Sequence, residues 1–200
     1  VVVLDGADLA ARQVEQAGGF DDRLGEFVGD AYRQLQVQGG LSMAAVQAGA
    51  TGWARPEDIE INTAIGNVAG GAGVMFVAIT SEDLVLRIEL RHDGASVSNF
   101  VKEGVNVQGL DSPDNLALDN QGTLYILEDG GPGNIWAVRH SGRPELVASE
   151  VVRFASLSDC SAEPTGLYFD RDGRIAWVHV QHAGGALDND LLLELTRSDP

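Results

Sequence analysis

The sequence is short of basic residues, cysteine and long apolar runs, and each shortage narrows what the chain does. Only 13 Lys and Arg stand against 30 Asp and Glu, for a formal net charge of −17. Such a surface repels a phosphate backbone, which argues against a nucleic-acid partner. The single cysteine, Cys160, excludes an intrachain disulfide, so cysteine counting leaves the compartment open. No run reaches the roughly 18 apolar residues a membrane-spanning helix needs. The opening residues, Val1-Val2-Val3-Leu4-Asp5, carry no Met, basic region or signal peptide. The expectation is a piece of a longer protein, with any export signal in the missing part. Ser-His-Asp order, a Gly-rich phosphate loop and zinc-ligand spacing are absent too.

What is present describes a globular chain. Hydrophobic residues make up 44% of the 200, enough for one sizeable core. The 25 glycines, set between short apolar runs, predict many tight turns and many short strands. The carboxylate excess suits hard, oxygen-binding cations such as calcium, and it serves solubility equally well.

Three segments share one pattern: Pro, two variable residues, apolar, any, apolar, then Asn or Asp. They are Pro56-Glu57-Asp58-Ile59-Glu60-Ile61-Asn62, Pro113-Asp114-Asn115-Leu116-Ala117-Leu118-Asp119 and Pro164-Thr165-Gly166-Leu167-Tyr168-Phe169-Asp170. Each is followed by a second apolar run, at Val74 to Ile79, Thr123 to Leu127 and Ile175 to Val180. A third run closes each unit, at Leu84 to Leu90, Asn134 to Val138 and Leu191 to Leu195. Asp119-Asn120-Gln121-Gly122 and Asp170-Arg171-Asp172-Gly173 are turn sequences. A period near 50 residues with three or four antiparallel strands per unit predicts an all-β protein, a β-propeller. Three units form an incomplete ring of three to four blades, at about 51–110, 111–160 and 161–200. Residues 1–50 are expected to be irregular or partly helical, with Leu9, Val14, Leu24, Phe27 and Tyr32 scattered over Asp8 to Leu35. The remaining blades would come from the missing N-terminal half or from another chain.

In such a ring the residues just after each proline reach the mouth of the central channel. Glu57 and Asp58 then occupy positions equivalent to Asp114 and Asn115, and together they offer oxygen ligands to one cation. Turn formation is the alternative role, because Asp and Asn side chains bond their own backbone. The third copy has Thr165 and Gly166 there, so ligation in that blade is weak or absent. Glu60 is expected on the face opposite Glu57 in a regular strand. Arg55 stands beside the first acidic pair, where it would grip a phosphate oxygen or form a surface salt bridge. His182 ends a strand, in reach of a channel rim, while His179 lies within it and reads as structural. Cys160 has no activating partner nearby in sequence.

Arg55-Pro56-Glu57-Asp58-Ile59-Glu60, Ser112-Pro113-Asp114-Asn115-Leu116 and Val178-His179-Val180-Gln181-His182, in that order, resemble motifs of the PhoX-type alkaline phosphatases. The similarity runs over roughly residues 40 to 196 and points to that family's C-terminal half. The resemblance implies an exported, secreted or periplasmic propeller hydrolase of small phosphate monoesters, with calcium and iron at the channel mouth. It implies that Arg55 contacts phosphate and Glu57 is both catalytic and a metal ligand, with Asp58, Asp114 and Asn115 in the calcium shell. The family's iron-binding Cys motif has no counterpart here, and Thr80 to Leu86 replaces an Asn-rich, Gly-His-Ile-bearing stretch. Iron would therefore belong to a full-length parent, and this chain alone is expected to be inactive. Pro113 to Asp119 also resembles the calcium blade of gluconolactonase-like hydrolases, and a non-catalytic calcium-binding propeller module is the third reading.

Overall fold

The computed structural model describes residues 52–62, 73–91, 94–139, 147–183 and 190–197, and two short strands further upstream. Those strands, β1 (Phe20–Asp21) and β2 (Glu26–Phe27), pair antiparallel within a unit spanning Val1–Gly52. The rest of the helical segment expected at Asp8 to Leu35 lies outside the described residues. Everything that follows concerns the second unit, Trp53–Pro200.

Eleven strands build three antiparallel sheets, each a meander in chain order. Sheet 1 holds β3 (Pro56–Asn62), β4 (Gly73–Ile79), β5 (Leu84–Arg91) and β6 (Gly94–Lys102). Sheet 2 holds β7 (Pro113–Leu118), β8 (Leu124–Glu128), β9 (Asn134–Arg139) and β10 (Glu150–Ser156). Sheet 3 holds β11 (Glu163–Phe169), β12 (Ile175–Gln181) and β13 (Leu191–Thr196). A single 3-10 turn, Thr80–Glu82, is the helical content of the described residues. No helix among them is long and apolar enough to cross a membrane.

Period-two alternation makes sheet 2 the middle layer. Leu116, Leu124, Ile126, Trp136 and Val138 pack on Val74, Phe76, Ala78 and Val85 of sheet 1. Their neighbours Ala117, Tyr125, Leu127, Ile135 and Ala137 pack on Leu167, Ala176 and Val178 of sheet 3. All five residues of β8 are buried, which is why Leu124 to Glu128 reads as an almost unbroken apolar run. The hairpin turns follow from their acids. Asp119 Oδ1 accepts the amides of Gln121 and Thr123 at 2.9 and 2.8 Å. Asp170 Oδ1 accepts those of Arg174 and Ile175 at 2.7 and 3.0 Å.

Each first strand departs from regular pairing just after its proline. Register shifts fall between Pro56 and Ile59, between Pro113 and Asn115, and between Thr165 and Tyr168. Each bulge inserts one extra residue and re-aims the side chains it contains. It therefore breaks the strict alternation by which Glu57 and Glu60 were expected to oppose each other. The residues before the first two prolines, Arg55 and Ser112, are left-handed, with φ of 60° and 47°. Their carbonyls accept amides from the residues just past the second strands: Thr80 to Arg55 at 3.0 Å, and Asp129 to Ser112 at 2.8 Å. A left-handed residue thus recurs at one end of two sheets, just before the proline that begins each first strand.

Candidate active site

That same end gathers charge from all three sheets. Arg55 donates from Nε to Glu57 Oε1 at 2.7 Å and from Nη2 to Asp129 Oδ2 at 2.7 Å. The second bond ties sheet 1 to sheet 2. Thr80 Oγ1 adds a buried bond to the Pro113 carbonyl at 2.8 Å. From sheet 3, Glu163 Oε2 accepts the Gly130 amide at 3.1 Å, and Oε1 lies 3.9 Å from His182 Nε2. Gly131 permits the close approach of this loop to the sheet 3 turn, since a Cβ there would sit 1.6 Å from the Cys160 carbonyl oxygen.

The electrostatics show a site with surplus negative charge. The Asp114 carboxyl is raised above its usual 3.8, first by burial and then by the charges of Asp129 and Glu57, with Arg55 opposing. Glu163 is raised above 4.5 by burial and by hydrogen bonding to Asp129, against the Gly130 amide and His182. Glu60 is raised by burial and by Asp58. Arg55 is pushed up by its bonds to Asp129 and Glu57 and stays a cation.

A raised carboxylate favours the folded state at low pH, where it is protonated, and that contribution is lost as pH rises through the folded value. The melting temperature of the chain without added metal should therefore fall as pH climbs out of the ordinary carboxylate range. Asp114→Asn should flatten that fall. An identical slope in Asp114→Asn would show that Asp114 does not sense its neighbours.

The five residues expected at the site divide by position in the repeat. Arg55, Glu57 and Asp114 come together with Asp129. Asp58 lies close enough to Asp114 to act on its charge, but both its oxygens hold backbone: Oδ1 accepts Ile59 N at 2.7 Å and Oδ2 accepts Leu116 N at 2.8 Å. Asn115 does the same for the next pair of sheets, its Oδ1 taking the Thr165 hydroxyl and the Gly166 amide. The first residue after the proline thus faces the cluster, and the second latches one sheet to the next. Among the described residues, no three His, Cys, Asp or Glu side chains are grouped to hold one metal ion.

Asp129, Glu163 and His182 complete the cluster. Of these only His182 stood out in the sequence, as a residue at a strand end. The repeat carried the signal for the others. Thr80, Asp129 and His182 each follow a second strand, and Arg55, Ser112 and Glu163 each precede the repeated proline. His179 is outside the cluster, on β12 opposite Thr165 and Leu192, and Cys160 is an exposed thiol in a turn.

Three antiparallel sheets that place an arginine among carboxylates at their common end define an all-β protein with a charged cluster there. The family model described as alkaline phosphatase PhoX matches residues 31–184, and the chain belongs to that family. The solved structure of Pseudomonas fluorescens PhoX in complex with vanadate, a transition state analogue, matches with a TM-score of 0.60 at 19% identity. The match covers 82% of this chain and 37% of that one, so this chain spans well under half of that protein's length. At that identity the likeness is one of fold. No curated protein matches the chain.

Proposed function

We propose that this chain is the oxyanion-binding part of an exported, metal-dependent phosphate monoester hydrolase, with its sheets arranged as blades around a channel. The observation that carries the reading is Arg55 held between Glu57 of sheet 1 and Asp129 of sheet 2, beside an Asp114 made reluctant to ionise first by burial and then by like charges. A guanidinium so placed is pre-oriented, and its planar fork matches a phosphate oxygen pair. Exchanging a carboxylate for a phosphate oxygen keeps the cation paired while the ester is positioned.

The donor set fits a hard cation. It is all oxygen, and the charges of Asp129, Glu57 and Asp58, which add to burial in raising Asp114, are ones a dication would neutralise. Glu57 and Asp114 would hold calcium, with Asp58 and Asn115 adding an oxygen only by sharing those that now latch the sheets. Iron would need ligands from elsewhere in a longer parent. A bound metal would supply charge neutralisation of the ester oxygens. The chain's own part is to orient the phosphate through Arg55, which Glu57 and Asp129 hold in place.

The test uses calcium and inorganic phosphate on the full chain, followed by 4-nitrophenyl phosphate with calcium and iron added. Calcium should raise the melting temperature, and phosphate should bind. Arg55→Ala should weaken phosphate binding, and any turnover, by about a hundredfold. A melting temperature indifferent to calcium together with no phosphate binding would sink the reading. The latching role of Asp58 and Asn115 favours a second reading, a binding module without turnover, which predicts calcium and phosphate binding but no product. Lactone cleavage without phosphate release would favour the gluconolactonase-like alternative.

A further inference from the structure

The two gaps between neighbouring sheets are built from equivalent residues but are filled differently. Phe76 on β4 pairs with Arg87 on β5, which pairs with Ser98 on β6. One sheet further on, Tyr125 on β8 pairs with Ala137 on β9, which pairs with Val152 on β10. Each fourth strand carries a bulge, and each bulge holds a phenylalanine, Phe100 in β6 and Phe154 in β10. Each phenylalanine packs on the second-strand ring of its own sheet. The ring centroids lie 4.9 Å apart for Phe76 and Phe100, and 5.3 Å apart for Tyr125 and Phe154.

The first gap is full. Arg87 is 2% exposed, and its Nη1 donates to Glu89 Oε2 at 3.2 Å. Phe100 is 5% exposed, in one core with Val107 and Leu110 of the connection 103–112 and with Ala148. In the second gap an alanine stands at the place of the arginine, and the connection 157–162 gives that core no side chain. Phe154, the counterpart of Phe100, is 50% exposed.

The space left between sheets 2 and 3 is a cavity of about 500 Å³, a size that takes a small organic ligand. Tyr125, Phe154 and Phe169 line it with rings, the centroids of Tyr125 and Phe169 being 4.8 Å apart. Val152 and Leu195 add aliphatic wall. The turns 119–123 and 172–174 form the rim, at the end of the sheets opposite Arg55. The rim carries both signs of charge. Asp119 is engaged by the amides of Gln121 and Thr123 and by the Tyr125 hydroxyl. Asp172 is the other acid. Arg174 and Arg197 stand side by side, the Arg197 amide donating to the Arg174 carbonyl at 2.9 Å.

We propose that this cavity binds a small planar aromatic acid, its ring among Tyr125, Phe154 and Phe169 and its carboxylate toward Arg174 and Arg197. Three aromatic side chains offer faces and edges that suit a flat guest better than an aliphatic one. Two guanidiniums against one acid not already engaged favour a negative end over a positive one. The position that opens the site, Ala137, lies in an interior strand of the four-stranded sheet 2. The site is separate from the cluster around Arg55 and rests on no phosphate or metal chemistry.

Calorimetric titration of the full chain with 2-naphthoate tests it, with 2-naphthylmethanol and decanoate as the uncharged and the ringless counterparts. 2-Naphthoate should bind with a Kd below about 1 mM, more tightly than either counterpart. Ala137→Arg, which puts the residue type of the first gap into the second, should weaken binding more than about tenfold. Phe154→Ala, at a half-exposed position that tolerates truncation, should weaken it about fivefold, and it decides the matter if Ala137→Arg does not fold. Arg197→Gln should weaken 2-naphthoate about threefold and leave 2-naphthylmethanol unchanged. A wild-type Kd above about 1 mM overturns the proposal. So does wild-type affinity in Phe154→Ala, which would put the ligand elsewhere. Equal binding of 2-naphthylmethanol or of decanoate overturns it too, since the charge or the ring would then play no part.

Discussion

Glu128→Ala should destabilise the chain by about 4 kcal/mol, the largest effect expected of any single substitution here. Glu128 closes β8 inside sheet 2 and is 3% exposed. Its Oε1 accepts Trp136 Nε1 at 2.7 Å and Asp111 N at 2.9 Å. Its Oε2 accepts Asn134 Nδ2 at 2.6 Å and Asn134 N at 3.2 Å. A carboxylate accepts only, and here both oxygens are filled by donors from β9 and from the loop entering β7. Alanine would leave those donors without partners in a place water does not reach, and each costs about 1–3 kcal/mol. Glu128→Gln should cost about half as much, because its amide keeps one acceptor but turns a donor toward the others. Urea unfolding followed by Trp136 fluorescence measures both. A loss under about 1 kcal/mol for the alanine variant would mean the network carries no net stability.

Asp58→Ala should cost about 2–3 kcal/mol, with or without added metal. It removes two charge-assisted bonds, one of which reaches from β3 to the buried strand β7. Asp58→Asn retains an oxygen for Leu116 N and should recover about half of the loss. The metal dependence separates the two roles proposed for this residue. A latch is felt in metal-free protein, whereas a ligand is felt only when calcium is present. An Asp58→Ala variant as stable as wild type without calcium, and weaker only with it, would return Asp58 to the cation shell.

These two residues also show what was readable in advance. Asp58 stood out because it recurs, as Asn115, at the same place in a repeat. Its residue type suggested an oxygen ligand, but both oxygens meet amides, one in its own strand and one in the next sheet. Glu128 did not stand out at all. It closes an apolar run as any strand-end acid would, and its importance comes from Trp136 and Asn134 lying opposite it. Asp129 and Glu163 were hidden for a related reason. Each belongs to a different hairpin, and neither lies near Arg55 or Glu57 in the chain.

The sequence by itself determined the strands, their turns and their grouping in three antiparallel units, because those depend on neighbours a few residues apart: apolar alternation, Asp-x-x-Gly turns and a proline at the start of each unit's first strand. The fourth strands of sheets 1 and 2, Gly94–Lys102 and Glu150–Ser156, were less legible, since their outward residues are polar or mixed. Only the tertiary structure decided which acid joins the cluster and which holds the next sheet. A bulge of one residue after each proline turns side chains away from strict alternation, and the direction of an oxygen depends on that backbone turn and on the sheet beside it.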